Sequence, residues 1–298
     1  MLMRSFLIKI LVFITITCTI GIFVQSRIEK INLLDNIDDK NFECIFDSII
    51  NADILIMGNS RSYTNYSTFI LDSIFNLRSY IIGISGYPID FQYELKLLPY
   101  LKRNCSPQLI IQEINTIAFL DDANDPLNVL FLKYNYKSDF KYYNDYVNFS
   151  FYEKYLPLLK YKGMLNDELF HKELPGRSKA FKPQNYLDDG FFITKIDTAK
   201  LCKFYEYMDF CNRQKMKIIF VFSPIYHEMT DATINIEKFW DVIKKIASQY
   251  DVQILDYTHN SMCNDTSMFR DLTHLRKKGS ELFSIKLAHD IDSLNLLK

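Results

Sequence analysis

The sequence has only 8 glycines in 298 residues, and no glycine-rich run of the kind that cradles a phosphate. Nucleotide chemistry of the P-loop type is therefore excluded, and each glycine that does occur marks a place where backbone geometry demands one. No excess of one charge exists either: 35 Lys and Arg face 36 Asp and Glu, for a net charge of −1. Without a basic field to hold a phosphate backbone, a nucleic-acid partner is not expected. The cysteines lack CxxC spacing and a neighbouring histidine set, so no metal site is expected. Outside the first 30 residues they are Cys44, Cys105, Cys202, Cys211 and Cys263, an odd set whose default role is that of small buried hydrophobes. One or two disulfides are permitted in an oxidising compartment, without a readable pairing.

What is there is a globular composition, 48% hydrophobic and 24% charged, rich in Phe (24) and Tyr (20). Phe6 to Val24 reads FLIKILVFITITCTIGIFV, interrupted only by Lys9. That is about the ~20 residues a helix needs to cross a bilayer. Arg4 and Lys9 precede most of the run, which by the positive-inside tendency predicts a cytoplasmic start and an extracytoplasmic remainder, although Arg27 and Lys30 weaken the asymmetry. A cleaved signal peptide is the competing reading, with Val24-Gln25-Ser26 as a loose cleavage site lacking an A-x-A pattern. The expected organisation is a membrane anchor over 1–26, a tether and lead-in helix over 27–52, and one large domain over 53–298 interrupted by an insertion at 120–195.

Within that domain, short runs rich in Ile, Val and Phe alternate with amphipathic stretches, the pattern of βαβ units. The runs are Asp53–Met57, Ser79–Ile84, Leu109–Ile114, Lys217–Ser223 and Val252–Tyr257. Helical spacing covers Ile89–Arg103, Ala199–Gln214, Glu237–Ser248 and Gly279–Ser293. Together they predict an α/β fold: a three-layer α/β/α sandwich around a five-stranded parallel sheet. The insertion breaks the rhythm, and Tyr134–Tyr161 is packed with Tyr, Phe, Lys and Asn. It reads as a helical cap over a sheet edge, or as an aromatic surface for a polymeric ligand.

In an open parallel sheet ligands collect at the strands' C-terminal ends, and the first strand runs directly into Gly58-Asn59-Ser60-Arg61-Ser62. A serine there can present its hydroxyl outward but needs a base, and the base needs a carboxylate to fix its tautomer. Asp271-Leu272-Thr273-His274, just ahead of the last helix, supplies that pair on one turn. Among the other histidines, His259 with Asp256 three residues before it is the only rival base, while His171, His227 and His289 lack such a setting. Gly83-Ile84-Ser85-Gly86 after the second strand and Asn115 after the third can provide donors for a developing oxyanion.

At this point the chain resembles the SGNH, or GDSL-like, hydrolase superfamily, whose letters stand for a serine, a glycine, an asparagine and a histidine in separate blocks. Gly58-Asn59-Ser60 resembles the first block, Gly83-Ile84-Ser85-Gly86 the second, Asn115 the third, and Asp271-Leu272-Thr273-His274 the last. The resemblance runs from about Ala52 to Leu297, with the insertion unmatched. It implies a flavodoxin-like SGNH hydrolase fold in which Ser60 is the nucleophile, His274 the general base and Asp271 its orienting carboxylate. The oxyanion hole would comprise Ser60 N–H, Gly86 N–H and the Asn115 side chain. No cofactor and no metal are implied. Three departures stand out: Asn59 replaces the usual acidic residue, Glu113-Ile114 stand where a glycine usually precedes the asparagine, and Arg61 follows the serine directly. Arg61 would bind an anionic substrate or pair with Asp271 or another acid.

The chain looks like membrane-tethered members of this superfamily that add or remove O-acyl groups on envelope or exported polysaccharide. The implied partners are that glycan as substrate, the membrane through the N-terminal helix, and a membrane protein donating acyl groups. Two other readings stay open: a non-catalytic binding or assembly protein that keeps the fold, and a lysophospholipase-type lipase acting on the adjacent membrane.

Overall fold

In the computed structural model of the chain, the described residues are 2–35, 45, 49–83, 89–116, 118–119, 192–193 and 196–297. The insertion at 120–195 therefore lies outside them, apart from two residues. The chain divides into two compact units, one made of 1–40 with 123–175, the other of 41–122 with 176–298.

Of the first unit, helix α1 spans Leu2–Asp35. Its segment Met3–Val24, 22 residues, is long and apolar enough to cross a membrane. Three threonines within it turn their hydroxyls back onto the helix: Thr15 bonds the Leu11 carbonyl at 2.8 Å, Thr17 that of Phe13 at 2.9 Å, and Thr19 that of Thr15 at 2.8 Å. Polar groups are thereby satisfied within the helix, the condition an apolar surrounding imposes. The helix continues past the expected anchor boundary, so the first residues of the expected tether are helical.

The second unit is built on a sheet of order β2-β1-β3-β5-β7, with every pairing parallel. Its strands are β1 (Ile54–Met57), β2 (Ser79–Ile81), β3 (Leu109–Glu113), β5 (Lys217–Phe222) and β7 (Gln253–Asp256). The central strands β1 and β3 are buried along their whole length, hence the apolar runs Ile54–Met57 and 109–111, with the buried polar Gln112 and Glu113 at the C-terminal end of β3. Because neighbouring side chains on a strand point to opposite faces, each strand feeds two cores. Leu55, Met57, Ile110, Phe220 and Phe222 pack on one face with Tyr93, Leu97, Phe204, Tyr207 and Ile243, whereas Ile54, Ile56, Ile111, Ile219 and Val221 pack on the other with Leu71, Phe283, Leu287 and Ile291. The result is the three-layer α/β/α sandwich.

Helices α2 (Ser60–Asn65) and α3 (Thr68–Phe75) connect β1 to β2. Helix α4 follows β2 in three pieces, Ile89–Gln92, a π-helical turn Tyr93–Leu97, and Leu98–Leu101. A continuous helix is expected here from the spacing; Pro99 has no amide to close the regular ladder, and the widened turn leads into it. Helix α5 (Thr198–Arg213) begins at Asp197, whose carboxylate accepts from Lys200 N–H at 2.9 Å. The remaining helices are α6 (His227–Asp231), α7 (Ile236–Tyr250) and α8 (Lys277–Ser293). A two-residue parallel pair, β4 (Phe192–Ile193) with β6 (Thr233–Ile234), forms a second sheet that the hydrophobic pattern does not announce. Of the cysteines, Cys18, Cys105, Cys202, Cys211 and Cys263 are free thiols.

Candidate active site

Chain order reverses across the sheet between β1 and β3: β2 lies on one side of β1, and all later strands lie on the other. Such a switch point opens a crevice at the C-terminal strand ends. Met57 is paired with Gln112. Ser60 and Asn115 each follow these partners by three residues, so the two segments leave the same end of adjacent strands.

The turn after β1 is tightly determined. Gly58 has φ +156°, and a Cβ there would come within 2.6 Å of Glu113 Cβ and 3.2 Å of Ser62 Cβ. Asn59 is the N-cap of α2, its side-chain oxygen accepting from Arg61 N–H at 3.1 Å. Asparagine is among the best N-caps, and here it satisfies one of the free N–H groups at the start of α2. Ser60 is thus the first residue of a helix, where the geometry of the α-helix provides no internal acceptor for the backbone N–H.

The other half of the site is a short loop before α8. A bridge between Phe269 and Leu275 closes it, with Arg270 N–H donating to the His274 carbonyl at 2.8 Å. Inside the loop Asp271 Oδ1 accepts from Thr273 N–H at 3.0 Å and His274 N–H at 2.9 Å. Both carboxylate oxygens of Asp271 lie 2.8 Å from His274 Nδ1. The far ring nitrogen, Nε2, lies 2.8 Å from Ser60 Oγ. With the Nδ1 proton directed at the carboxylate, Nε2 carries the lone pair that faces the serine hydroxyl. Burial raises the Asp271 pKa, but the hydrogen bonds and charge of His274 and the two backbone N–H groups prevail and hold it at about 2. Its carboxylate therefore stays ionised beside the ring, as an orienting group must.

Arg61 requires a correction. It does not face the rim as a substrate-binding cation; it is 5% exposed and turned inward. The guanidinium pairs with Glu113 Oε1 at 2.9 Å, bonds Ser223 Oγ at 2.9 Å and the Ser223 carbonyl, and lies 4.5 Å from the centre of the Phe222 ring. The acid it meets is Glu113, not Asp271. Glu113 in turn accepts from Tyr66 OH, from Ser223 Oγ at 3.1 Å and from Ser223 N–H at 3.3 Å. Burial pushes the Glu113 carboxyl up, while Arg61, Tyr66 and Ser223 pull it back. Since each of these contacts donates to it, the arrangement fits the carboxylate. The same burial, with the Glu113 charge beside it, drives the Tyr66 hydroxyl well above its ordinary range. Glu113 at the end of β3 is thus one half of a buried pair that ties β3 to the serine turn.

Of the candidate oxyanion donors, Asn115 is buried just past β3, in a turn closed by Ala118 N–H on its carbonyl at 3.1 Å. Gly86 lies outside the described residues. Gly83, in the same block, is described: its carbonyl accepts from Tyr63 OH. A Cβ on it would come within 2.0 Å of Ser62 Oγ and 2.7 Å of the Gly58 carbonyl. The rival base is not assembled. His259 is exposed, and Asp256 accepts instead from Thr258 N–H at 2.9 Å and Thr258 Oγ at 2.7 Å. Among the described residues, no group of three His, Cys, Asp or Glu side chains could hold a metal ion.

Glu113's role, Ser223 and Tyr66 are absent from the sequence-level site. Polar residues flanking strands have the same appearance as turn residues, and only the fold reveals that they converge.

No family model matches the sequence, and no curated protein matches it. Solved structures do. A family two carbohydrate esterase from Clostridium thermocellum, determined with cellohexaose, is similar at 10% identity over 84% of this chain and 66% of its own, with a TM-score of 0.43. A candidate acylhydrolase from Bacteroides fragilis is similar at 10% identity over 82% of this chain and 88% of its own, with a TM-score of 0.38. A candidate platelet activating factor from Streptococcus pneumoniae is similar at 13% identity over 97% of this chain and 98% of its own, with a TM-score of 0.44.

Proposed function

We propose that the chain is a membrane-anchored serine esterase or O-acyltransferase that works through Ser60, His274 and Asp271. The observation that carries this reading is the unbroken line from Ser60 Oγ to His274 Nε2 at 2.8 Å and from His274 Nδ1 to Asp271 at 2.8 Å. His274 takes the Ser60 proton as Oγ attacks an ester carbonyl. The oxyanion is met by Ser60 N–H together with Gly86 and Asn115, and the alcohol leaves with the proton carried by His274. The resulting acyl-enzyme is resolved by water, in an esterase, or by a sugar hydroxyl, in a transferase.

The substrate we propose is an ester-linked acyl group, acetyl above all, on envelope or exported polysaccharide. What supports it is the N-terminal helix, whose 22-residue apolar segment would carry the domain across the membrane with its start inside. A membrane acyl-donor protein is the partner a transferase would need.

The test is labelling of the full-length protein in detergent with a serine-directed fluorophosphonate, beside Ser60→Ala and His274→Ala. Labelling of the wild type that disappears in both variants supports the reading. A folded wild type that stays unlabelled, or a label that survives Ser60→Ala, overturns it. Release of acetate from O-acetylated polysaccharide, against its transfer to a second glycan, then separates esterase from transferase.

A further inference from the structure

The helix that presents Ser60 also grips the loop that presents His274. Ser60 is the first residue of α2 and Asn65 the last, and Asn65 is completely buried. Its side-chain oxygen accepts from Leu275 N–H at 2.9 Å and its amide donates to the Thr273 carbonyl at 3.2 Å. These are the backbone groups on either side of His274. The remaining capacity of the side chain is also used: Thr64 Oγ1 donates to the oxygen at 2.9 Å, and the amide's second proton goes to Ser223 Oγ at 2.8 Å. An asparagine amide offers two donors and two acceptor sites, and all four are filled.

Ser223 extends this grip. Its hydroxyl accepts from Asn65 and Arg61 and donates to Glu113, so the Asn65 amide, the Arg61–Glu113 pair and the C-terminal end of β5 form one connected set. The geometry of the Asp271–His274 pair, by contrast, is settled inside its own loop, by bonds that Asp271 makes to the ring and to two backbone N–H groups. Those bonds orient the imidazole towards its carboxylate, but they do not set its distance from Ser60. Bonds between α2 and the loop must do that, and Asn65 supplies two. A displacement of about 1 Å between reacting groups costs on the order of 100-fold in rate.

We infer that Asn65 is a positioning residue that fixes the distance between Ser60 and His274, an inference that rests on reading those two as nucleophile and base. It touches no substrate; it acts through the backbone of residues 273 and 275.

The full-length protein in detergent is reacted with a saturating fluorophosphonate probe, and two quantities are read: the labelling rate constant and the fraction labelled at completion. Asn65→Ala removes all four bonds. Asn65→Asp keeps the shape and the acceptor for Leu275 N–H but loses the donor to Thr273, so it serves even if the alanine variant does not fold. The control is Asn104→Ala. Asn104 is likewise a buried asparagine, whose oxygen accepts from Asn51 N–H at 2.9 Å and whose amide donates to the Tyr100 carbonyl at 3.0 Å, at the opposite end of the sheet. The expected result is a rate constant lowered about 10- to 100-fold in both Asn65 variants, with the final labelled fraction unchanged, and a wild-type rate constant in Asn104→Ala. A merely structural asparagine would lower the labelled fraction and the melting temperature while leaving the rate constant of the folded molecules alone. The inference is overturned if the Asn65 variants label at the wild-type rate, or if Asn104→Ala slows as much as they do. Fast Asn65 variants alongside a dead Ser60→Ala would sink this inference alone, whereas an unlabelled wild type would sink the triad reading with it.

Discussion

Arg61 and Glu113 meet at 2.9 Å with both side chains almost wholly out of water, one on the residue after the candidate nucleophile and the other at the end of the neighbouring strand. Removing one partner of such a pair strands the other charge, at a cost of about 3–5 kcal/mol. Arg61→Met and Glu113→Gln are each expected to lower stability on that scale in urea unfolding, and the double variant to lose less than the sum of the two. Additive losses would mean that the pair is not coupled.

Asp271→Asn keeps the shape of the loop and removes the carboxylate that faces His274 Nδ1. The expected outcome is a fall in fluorophosphonate labelling rate and in esterase activity of about 10³- to 10⁴-fold, with melting at neutral pH lowered because the ionised carboxylate stabilises the fold there. A variant that keeps even a tenth of wild-type activity would deny Asp271 its orienting role.

The same carboxyl has a signature in acid. Its folded pKa, about 2, lies below the unfolded value near 3.8, so the folded state holds fewer protons between them. The contribution of Asp271 to stability is therefore fully present above about pH 4 and is lost as pH falls through 4 towards 2. Stability measured against pH should decline over that window in the wild type and decline less steeply in Asp271→Asn.

Gly83→Ala would place a methyl group within 2.0 Å of Ser62 Oγ and 2.7 Å of the Gly58 carbonyl. Overpacking of this kind costs about 1–3 kcal/mol. Adding Ser62→Ala relieves the first clash but not the second, so the double variant should recover part of the lost stability and not all. Full recovery would show that the backbone contact with Gly58 is unimportant.

Cys202 is an exposed free thiol on α5. With an N-terminus inside and the second unit outside, a membrane-impermeant maleimide added to intact cells should modify Cys202, as read by mass spectrometry. Modification only after lysis would reverse the proposed topology.

The five strands and the helices α5, α7 and α8 were legible because their signal is local: buried runs such as Ile54–Met57, and repeats such as Phe239, Ile243 and Ile246 on one face of α7. The Asp271–His274 contact was legible for the same reason, being three residues long. Arg61 shows where local reading stops. Its chemistry allowed a substrate or an acid, and the choice was made by Glu113, which the sheet brings beside it from 52 positions along the chain. Asn65 and Ser223 gave no signal at all, since their meaning lies in partners up to 210 residues distant. The short helices α2 and α3 escaped because they have only 6 and 8 residues, too few for a periodic pattern.

Ser60 and His274 are separated by 214 residues, and the loop that carries His274 runs directly into α8. During synthesis the serine turn can form early, but its base is added only 214 residues later. A chain stopped before Asp271, by a nonsense codon or a stalled ribosome, carries the serine without its base. If the anchor starts export while synthesis continues, the pair is completed only after the sheet has crossed the membrane.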